Sequence, residues 1–163
     1  MTRRLADPTS AATAARRRRT LGWGLESAPI APGADVGRDL VLRVDDDGRR
    51  DLGVVEGIDN LTQCLTIALT TALGDDVFNT AFGFDGLRAL VEETDPALTR
   101  ERVRVAVAAV LRADPRVARI VDLQALPRTP AEPSGRILTV ACVVEAVSGE
   151  PVTLTVEGGT ARG

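Results

Sequence analysis

The stretch Ala113-Asp114-Pro115-Arg116-Val117 joins the two patterns that decide the fold. Before it, Asp95-Pro96 opens a helix, because Asp is favoured at the N-cap and Pro at the first helical position. The predicted buried stripe of that helix has helical spacing and consists of Val103, Ala106, Val107, Val110 and Leu111. Asp114-Pro115 ends the helix, because the residue before a proline disfavours the helical region. A strand pattern follows at once. Two helical segments between an N-terminal hairpin and a C-terminal three-strand meander predict an α+β domain.

The residues after this joint predict an antiparallel three-strand meander. In the first strand, 117–126, one face holds Val121, Leu123 and Ala125, and the other holds Asp122 and Gln124. A proline-rich loop, 127–135, leads to the second strand, 137–147. Its apolar face is predicted to consist of Leu138, Val140, Cys142, Val144 and Ala146. A Ser148-Gly149 turn leads to the last strand, in which three apolar residues alternate with two threonines: Val152, Thr153, Leu154, Thr155 and Val156.

The N-terminal half predicts a short hairpin and a second long helix. Strands at 40–44 and 52–55 flank an Asp45–Gly48 turn, in which Asp47-Gly48 is a strong hairpin signal. Asp59 is expected to cap a helix that ends at Leu73 before Gly74. Its apolar face would contain Leu61, Leu65, Ala68, Leu69 and Ala72. Residues 77–84 are irregular, and 85–92 predict a short helix whose inward side chains would be Leu87, Leu90 and Val91.

Four segments of different composition divide the chain. We predict a disordered leader at 1–20, an extended Gly/Pro-rich arm at 21–37, the folded domain at 38–157 and a frayed tail at 158–163. The leader holds six Arg against Asp7, a charge of +5, whereas the rest holds 14 Arg against 22 acids, a charge of −8. The leader is either a solubilising segment or a binder of an anionic partner. Trp23 lies in an arm that either packs on another subunit or stays loosely packed.

The chain has few side chains of the kinds that act as general acids, bases or nucleophiles, because it contains no His, Lys or Tyr. Cys64 and Cys142 resemble small buried hydrophobic residues, so neither a zinc site nor any other metal or cofactor is expected. The aspartates at 45–47 lack the further ligands of a calcium loop and are interpreted as a turn. No phosphate-binding or nucleophile motif occurs. We therefore expect a non-enzymatic protein, located in the cytoplasm because no apolar run reaches transmembrane length.

The order of several motifs carries a resemblance to a known family. Asp51-Leu52-Gly53-Val54-Val55-Glu56-Gly57-Ile58-Asp59-Asn60-Leu61 runs into a helix bearing Gln63, and Phe82-Gly83 and Asp114-Pro115-Arg116 follow. Over about residues 35–157 this order resembles the baseplate wedge family of contractile tails. Its members occur in phage tails, type VI secretion baseplates and extracellular injection particles, and some carry a lysozyme-like name. The family's Glu-Pro-Arg hallmark is Asp-Pro-Arg here, which keeps the charge and shortens the reach.

The resemblance implies a structural sheath initiator in six copies around a tube, within a contractile particle assembled in the cytoplasm. Its partners would be sheath subunits, other wedge subunits and tube or hub proteins. No small-molecule substrate, membrane insertion or nucleic-acid partner is expected. The predicted partner-interaction residues are Trp23, Asp114, Pro115, Arg116, Val152, Thr153, Leu154, Thr155 and Val156. At Asp114-Pro115-Arg116, a helix stop with a local ion pair and a direct partner contact both stay open.

Two alternative functions also stay open. The first is a peptidoglycan-degrading, lysozyme-like enzyme, which digestion of cell walls by the purified protein would reveal. The second is a small nucleic-acid-binding module that uses the Arg-rich leader, which salt-dependent DNA binding lost on deletion of residues 1–20 would reveal.

Overall fold

Residues 8–30, 37–86, 88, 92–127 and 137–159 are described by a computed structural model. The chain divides into two compact units, Met1–Gln63 and Cys64–Gly163. Helix α1 spans Pro8–Leu21, α2 spans Ile58–Thr70 and α3 spans Pro96–Ala113. The strands are β1 Trp23–Leu25, β2 Ser27–Pro29, β3 Arg38–Leu40, β4 Leu42–Val44, β5 Arg50–Leu52, β6 Val54–Glu56, β7 Val117–Pro127, β8 Ile137–Ala146 and β9 Pro151–Gly159. The predicted α+β class with a C-terminal antiparallel three-strand meander is confirmed.

The first unit is built around a three-way junction of short antiparallel ladders. Strand β1 pairs with β6, β2 with β3 and β4 with β5. At the centre, three backbone bonds close a ring: Glu26 N–H donates to Gly53 O at 2.7 Å, Gly53 N–H to Val41 O at 2.7 Å, and Val41 N–H to Glu26 O at 2.9 Å. Each predicted strand of the hairpin is therefore split where it changes partner, at Val41 and at Gly53. The predicted turn is present, with Gly48 at φ +79°.

Residues 8–20, which were expected to be part of a disordered leader, are helical. The prediction of disorder is wrong for residues 8–20, which belong to α1, whereas residues 1–7 lie outside the described residues. Ala and Arg favour helix, and the end of α1 is anchored by Leu21, which is fully buried. Gly22, at φ +77°, then terminates the helix and donates its N–H to Arg18 O at 3.0 Å.

The bounds of α2 differ from the prediction at both ends. The helix begins one residue before Asp59, directly after Gly57 at φ +62°, so Asp59 lies in the first turn instead of at the N-cap. The helix ends at Thr70 rather than Leu73. Thr71 O accepts a hydrogen bond from Phe84 N–H at 2.8 Å instead of one from the next helical turn, and the chain turns there. The predicted short helix is described only in part, and its expected inward residues Leu87, Leu90 and Val91 lie outside the described residues.

The second unit begins at Cys64 inside α2 and contains the rest of that helix, α3 and the meander, with an aliphatic core. The predicted N-cap of α3 is confirmed, because the Asp95 carboxylate accepts the Ala97 N–H at 2.7 Å. All five residues of the predicted apolar face of β8 are buried. The core of this unit consists of Leu65, Ala68, Leu69, Phe84, Val103, Val107, Leu111, Leu138, Val140, Cys142, Val144, Ala146, Val152 and Leu154.

Strand β7 departs from its predicted alternation. Register shifts lie between Val117 and Arg119 and between Ile120 and Asp122. Each inserts one extra residue, so the side chains that follow it lie on the opposite face from the one that simple alternation predicts. Val121 is consequently 51% exposed, whereas Ile120 and Leu123 are half-buried. The strand includes Pro127, which the sequence had placed in the loop, and 128–136 lie outside the described residues. Strand β9 also runs past the predicted end at Val156 to Gly159.

Candidate interaction surfaces

The β9 edge is the first candidate surface. In the described part of the chain the sheet order is β7-β8-β9, so β9 pairs on one side only. Val152 and Leu154 point into the core, whereas Thr153 and Thr155 are exposed. From Val152 to Val156 the strand carries no charge and no proline. An uncharged, regular edge of this kind invites another strand.

The hairpin register shows which backbone groups face that edge. Ala146 N–H donates to Glu150 O at 2.8 Å, which makes this pair a hydrogen-bonded one. Hydrogen-bonded and non-bonded pairs alternate along an antiparallel ladder. Thr153 opposite Val143 and Thr155 opposite Ala141 are therefore non-bonded pairs. Their N–H and C=O groups point away from β8, towards the open edge.

The opposite edge of the same sheet, β7, is less suited to strand addition. It contains the two register shifts described above, which bend a strand and disrupt the ladder. It also exposes the charged side chains of Arg119 and Asp122. Bulges and charges are the features by which natural proteins protect an edge. Of the two edges, β9 is the better template.

The helix-to-strand joint is the second candidate surface. Asp114 is the C-cap residue of α3, with extended backbone angles. The guanidinium of Arg116 donates two hydrogen bonds to the Asp114 carboxylate, Nε to Oδ1 at 2.9 Å and Nη2 to Oδ2 at 2.6 Å. The Arg116 backbone N–H also donates to Asp114 Oδ1 at 2.9 Å. The local ion pair that the sequence left open is thus present, whereas a direct partner contact stays a prediction.

The electrostatics of this pair favour its charged form. Partial burial alone would raise the pKa of Asp114, but the side-chain and backbone hydrogen bonds and the charge of Arg116 outweigh it and lower that pKa. The hydrogen bond to Asp114 in turn raises the pKa of Arg116, and the Cys64 side chain contributes in the same direction. The joint is therefore a three-residue cluster that also includes the half-buried Cys64.

Two apolar cavities flank the joint within the second unit. One, of about 480 Å³, is walled by Cys64, Phe82, Asp114, Pro115 and Arg116, among others. The other, of about 550 Å³, lies along α3, with Leu73 and Val105 on its apolar wall and Asp85 and Glu101 at its polar part. Gly83, at φ +114°, lines both cavities and lies so close to Ala72 O that a Cβ there would stand 2.7 Å away.

Trp23 is the remaining predicted site residue and belongs to the first unit. The residue is 58% exposed, and its ring centroid lies 5.8 Å from the Arg18 guanidinium, which also pairs with Glu56 at 2.7 Å. It is thus held in a ladder rather than in a loosely packed lead-in, and a contact with another subunit stays a prediction.

Polar residues outside the set of predicted site residues organise the first unit. Asn60 Nδ2 donates to Leu21 O at 2.9 Å. The Gln63 side chain accepts a hydrogen bond from Ser27 N–H at 2.9 Å and donates one to Leu25 O at 2.8 Å. It thereby pairs one backbone donor and one backbone acceptor of the β1–β2 segment. The signal was present, because Asn60, Gln63 and Gly53 all belong to the motif that carried the family resemblance, but their partners are distant in sequence.

The described residues offer little else that could act as a site. None of the described helices is both long and apolar enough to cross a membrane. Among the described side chains, no group of three or more His, Cys, Asp or Glu residues is placed to hold a metal ion.

Comparison with known proteins adds one informative likeness. The sequence matches no known family model and no curated protein. Among solved structures, the chain resembles a Geobacter sulfurreducens protein whose crystal structure at 1.44 Å is described as that of a candidate tail lysozyme. The two share 20% sequence identity with a TM-score of 0.53, over 64% of this chain and 91% of that one. This likeness shows that the chain shares the fold of a protein named for a tail.

Proposed function

We propose that this chain is a structural subunit of the inner baseplate of a contractile injection machine and that it seeds the sheath by pairing its β9 edge with a sheath strand. The observation that carries the proposal is the outward direction of the Thr153 and Thr155 backbone groups on an uncharged edge. The fold shared with a tail protein supports the setting. The partners would be sheath subunits, other wedge subunits and tube or hub proteins in the cytoplasm.

The energetics of strand addition suit a subunit that works in a ring. Each added backbone hydrogen bond stabilises by only about 1 kcal/mol net. A single copy should therefore bind a free sheath subunit weakly. Copies held together around a tube, six by the family resemblance, would present several edges at once and raise the effective concentration of sites. The first sheath ring would then form on the baseplate and not in solution.

Peptidoglycan cleavage is the second candidate, because the structural relative is described as a candidate lysozyme. Glycosidases of the common type need one carboxyl group with a raised pKa and a second carboxylate across the cleft. Of the acids that wall the two cavities, Asp114 and Glu101 have pKa values lowered by Arg neighbours. This arrangement favours the structural role. Release of soluble fragments from purified peptidoglycan by the wild-type protein, lost in Glu101→Gln, would favour the enzyme instead.

Proline substitutions on β9 test the proposed mechanism. Thr153→Pro and Thr155→Pro each remove an outward N–H without removing a bond to β8, so the fold should persist while sheath growth stops. Electron microscopy of particles from cells carrying either variant should show baseplates and tubes without sheath. Thr155→Val, which keeps the amide, is the matched control and should grow normal sheath. Full-length sheath on both proline variants would refute strand templating.

A third variant verifies the register on which this test depends. Leu154 has its N–H directed at β8, so Leu154→Pro should break the ladder and lower the stability of the isolated protein. If Leu154→Pro were as stable as Thr155→Pro, the assignment of outward and inward amides would be wrong.

A further inference from the structure

The three-way junction of the first unit has one apolar face. Directly paired residues lie on the same face of a ladder, which groups Leu25 with Val54 and Leu42 with Leu52. Side chains alternate between faces along an extended chain, so Leu40, two residues before Leu42, lies on the same face as Leu42. These side chains are between 38% and 64% exposed. We call this set the junction face: Leu25, Leu40, Leu42, Leu52 and Val54.

The opposite face of the junction carries an ion pair, which supports the grouping. Glu26 and Arg43 fall on that face by alternation, and their side chains form a two-fold ion pair with both N···O distances at 2.6 Å. A Cβ built on Gly53 would stand 3.0 Å from the Glu26 Cβ. A side chain at position 53 would therefore lie on the same face as Glu26 and Arg43.

An exposed apolar face on such thin ribbons indicates a binding surface. Each ladder has three residues per strand, and isolated two-stranded ribbons are marginal in water. Soluble monomers rarely expose a contiguous group of large apolar residues without a function. The junction face is therefore expected to be covered in the working assembly.

The charges around the junction face indicate what covers it. By the same pairing rule, the charged ladder residues on this side are Arg38, Arg50 and Glu56. Arg18 pairs with Glu56 at 2.7 Å, so Arg38 and Arg50 are the charged ladder residues of this side that have no carboxylate partner among the described ion pairs. Two junction faces placed together would set these arginines against each other. A partner with carboxylates around an apolar stripe would instead be complementary.

We propose that the junction face binds an apolar segment flanked by carboxylates from a different protein of the same assembly. The inference rests on the proposed function only for the identity of that assembly. It assigns to the first unit a second interface, separate from the β9 edge of the second unit. One subunit would thus engage the sheath through β9 and a neighbouring baseplate protein through the junction face.

Site-specific photo-crosslinking in purified particles tests this proposal. Benzoylphenylalanine replaces Leu42 on the junction face or, as the matched control, Asp51 on the opposite face of the same ladder. We expect position 42 to yield a product with a different chain, and position 51 to yield none above background. Mass spectrometry should map the product to a segment rich in Leu, Ile or Val with flanking Asp or Glu. Equal products from both positions, no product, or a product only with a second copy of this chain would overturn the proposal.

Sedimentation of the isolated protein provides the second measurement. The wild-type chain should remain monomeric as its concentration rises, and Leu42→Glu should sediment identically. Concentration-dependent dimers that Leu42→Glu abolishes would identify a second copy as the occupant and overturn the proposal. The proposed function fails separately: crosslinks from position 42 to a protein outside any tail would contradict the baseplate role and leave the junction-face inference intact.

Discussion

Arg116 forms a bidentate ion pair with Asp114, two residues before it in the sequence. The guanidinium donates from Nε to Oδ1 at 2.9 Å and from Nη2 to Oδ2 at 2.6 Å. Asp114 ends helix α3 and Arg116 precedes strand β7, so this pair fixes the angle at which the strand leaves the helix. The family resemblance has Glu at the first position, and the shorter Asp still completes a bidentate pair here. The role of the joint in the fold is thereby explained without a partner.

Replacement of the guanidinium should destabilise the isolated protein. Arg116→Ala removes charged hydrogen bonds and leaves the half-buried Asp114 carboxylate unpaired, which should cost about 1–3 kcal/mol in the free energy of unfolding. The exposed pair of Arg119 with Glu145 provides the control, and Arg119→Ala should cost below about 1 kcal/mol. Urea titrations of the two variants would compare them, and equal losses would contradict a special role for the joint.

The same pair should make stability depend on acidic pH. The folded-state pKa of Asp114 lies below its ordinary value of 3.8, so its contribution is present above the unfolded pKa and is lost as pH falls through the folded value. The difference in free energy of unfolding between wild type and Asp114→Asn should therefore be constant near neutral pH. It should shrink below about pH 4, the ordinary range of an Asp carboxyl. A difference that does not change down to strongly acidic pH would show that the pairing is not what stabilises the joint.

The two cysteines should differ in reactivity. Burial raises the pKa of the Cys142 thiol to about 11, so almost no thiolate exists there at pH 8. Cys64 is only half-buried and lines the cavity beside Arg116. A thiol reagent should therefore modify Cys64 first and reach Cys142 only on unfolding. The variants Cys64→Ser and Cys142→Ser assign the two phases, and fast native modification in Cys64→Ser would contradict the buried position of Cys142.

The junction of the first unit should not tolerate a side chain at Gly53. A Cβ there would stand 3.0 Å from the Glu26 Cβ and 3.2 Å from Val41 O, the backbone oxygen that Gly53 itself binds. Gly53→Ala should cost about 1–3 kcal/mol, as overpacking typically does. Gly48→Asn, in an open turn where Asn accepts a positive φ, is the control and should cost less. Calorimetry of both variants would measure the difference, and a neutral Gly53→Ala would refute close packing at the junction.

The parts of the fold that the sequence predicted are those with local causes. Asp95, Pro96 and Asp114 set the bounds of α3 through capping and backbone restriction, which a short window of sequence contains. The apolar face of β8 follows from strict alternation. Val121 was misassigned because a bulge depends on the register with a partner strand, which single-strand alternation does not record.

The parts that escaped prediction depend on distant partners. The junction needs Glu26, Val41 and Gly53 to meet, and no one of these residues signals the other two. Helix α1 was missed because its anchor, Leu21, is a single apolar residue whose burial comes from the tertiary fold. Of the candidate site, the ion pair at the joint and the open edge at Val152–Val156 were anticipated. The outward direction of the Thr153 and Thr155 amides required the hairpin register.

The most direct measurement is a cryo-electron microscopy map of a complete sheathed particle at the level of the baseplate. Strand templating predicts a strand of the first sheath ring alongside β9, with the Thr153 and Thr155 N–H groups within hydrogen-bond distance, about 3 Å, of its carbonyl oxygens. A map in which the first sheath ring is complete while the β9 edge is open, or is covered by a chain other than the sheath, would contradict it.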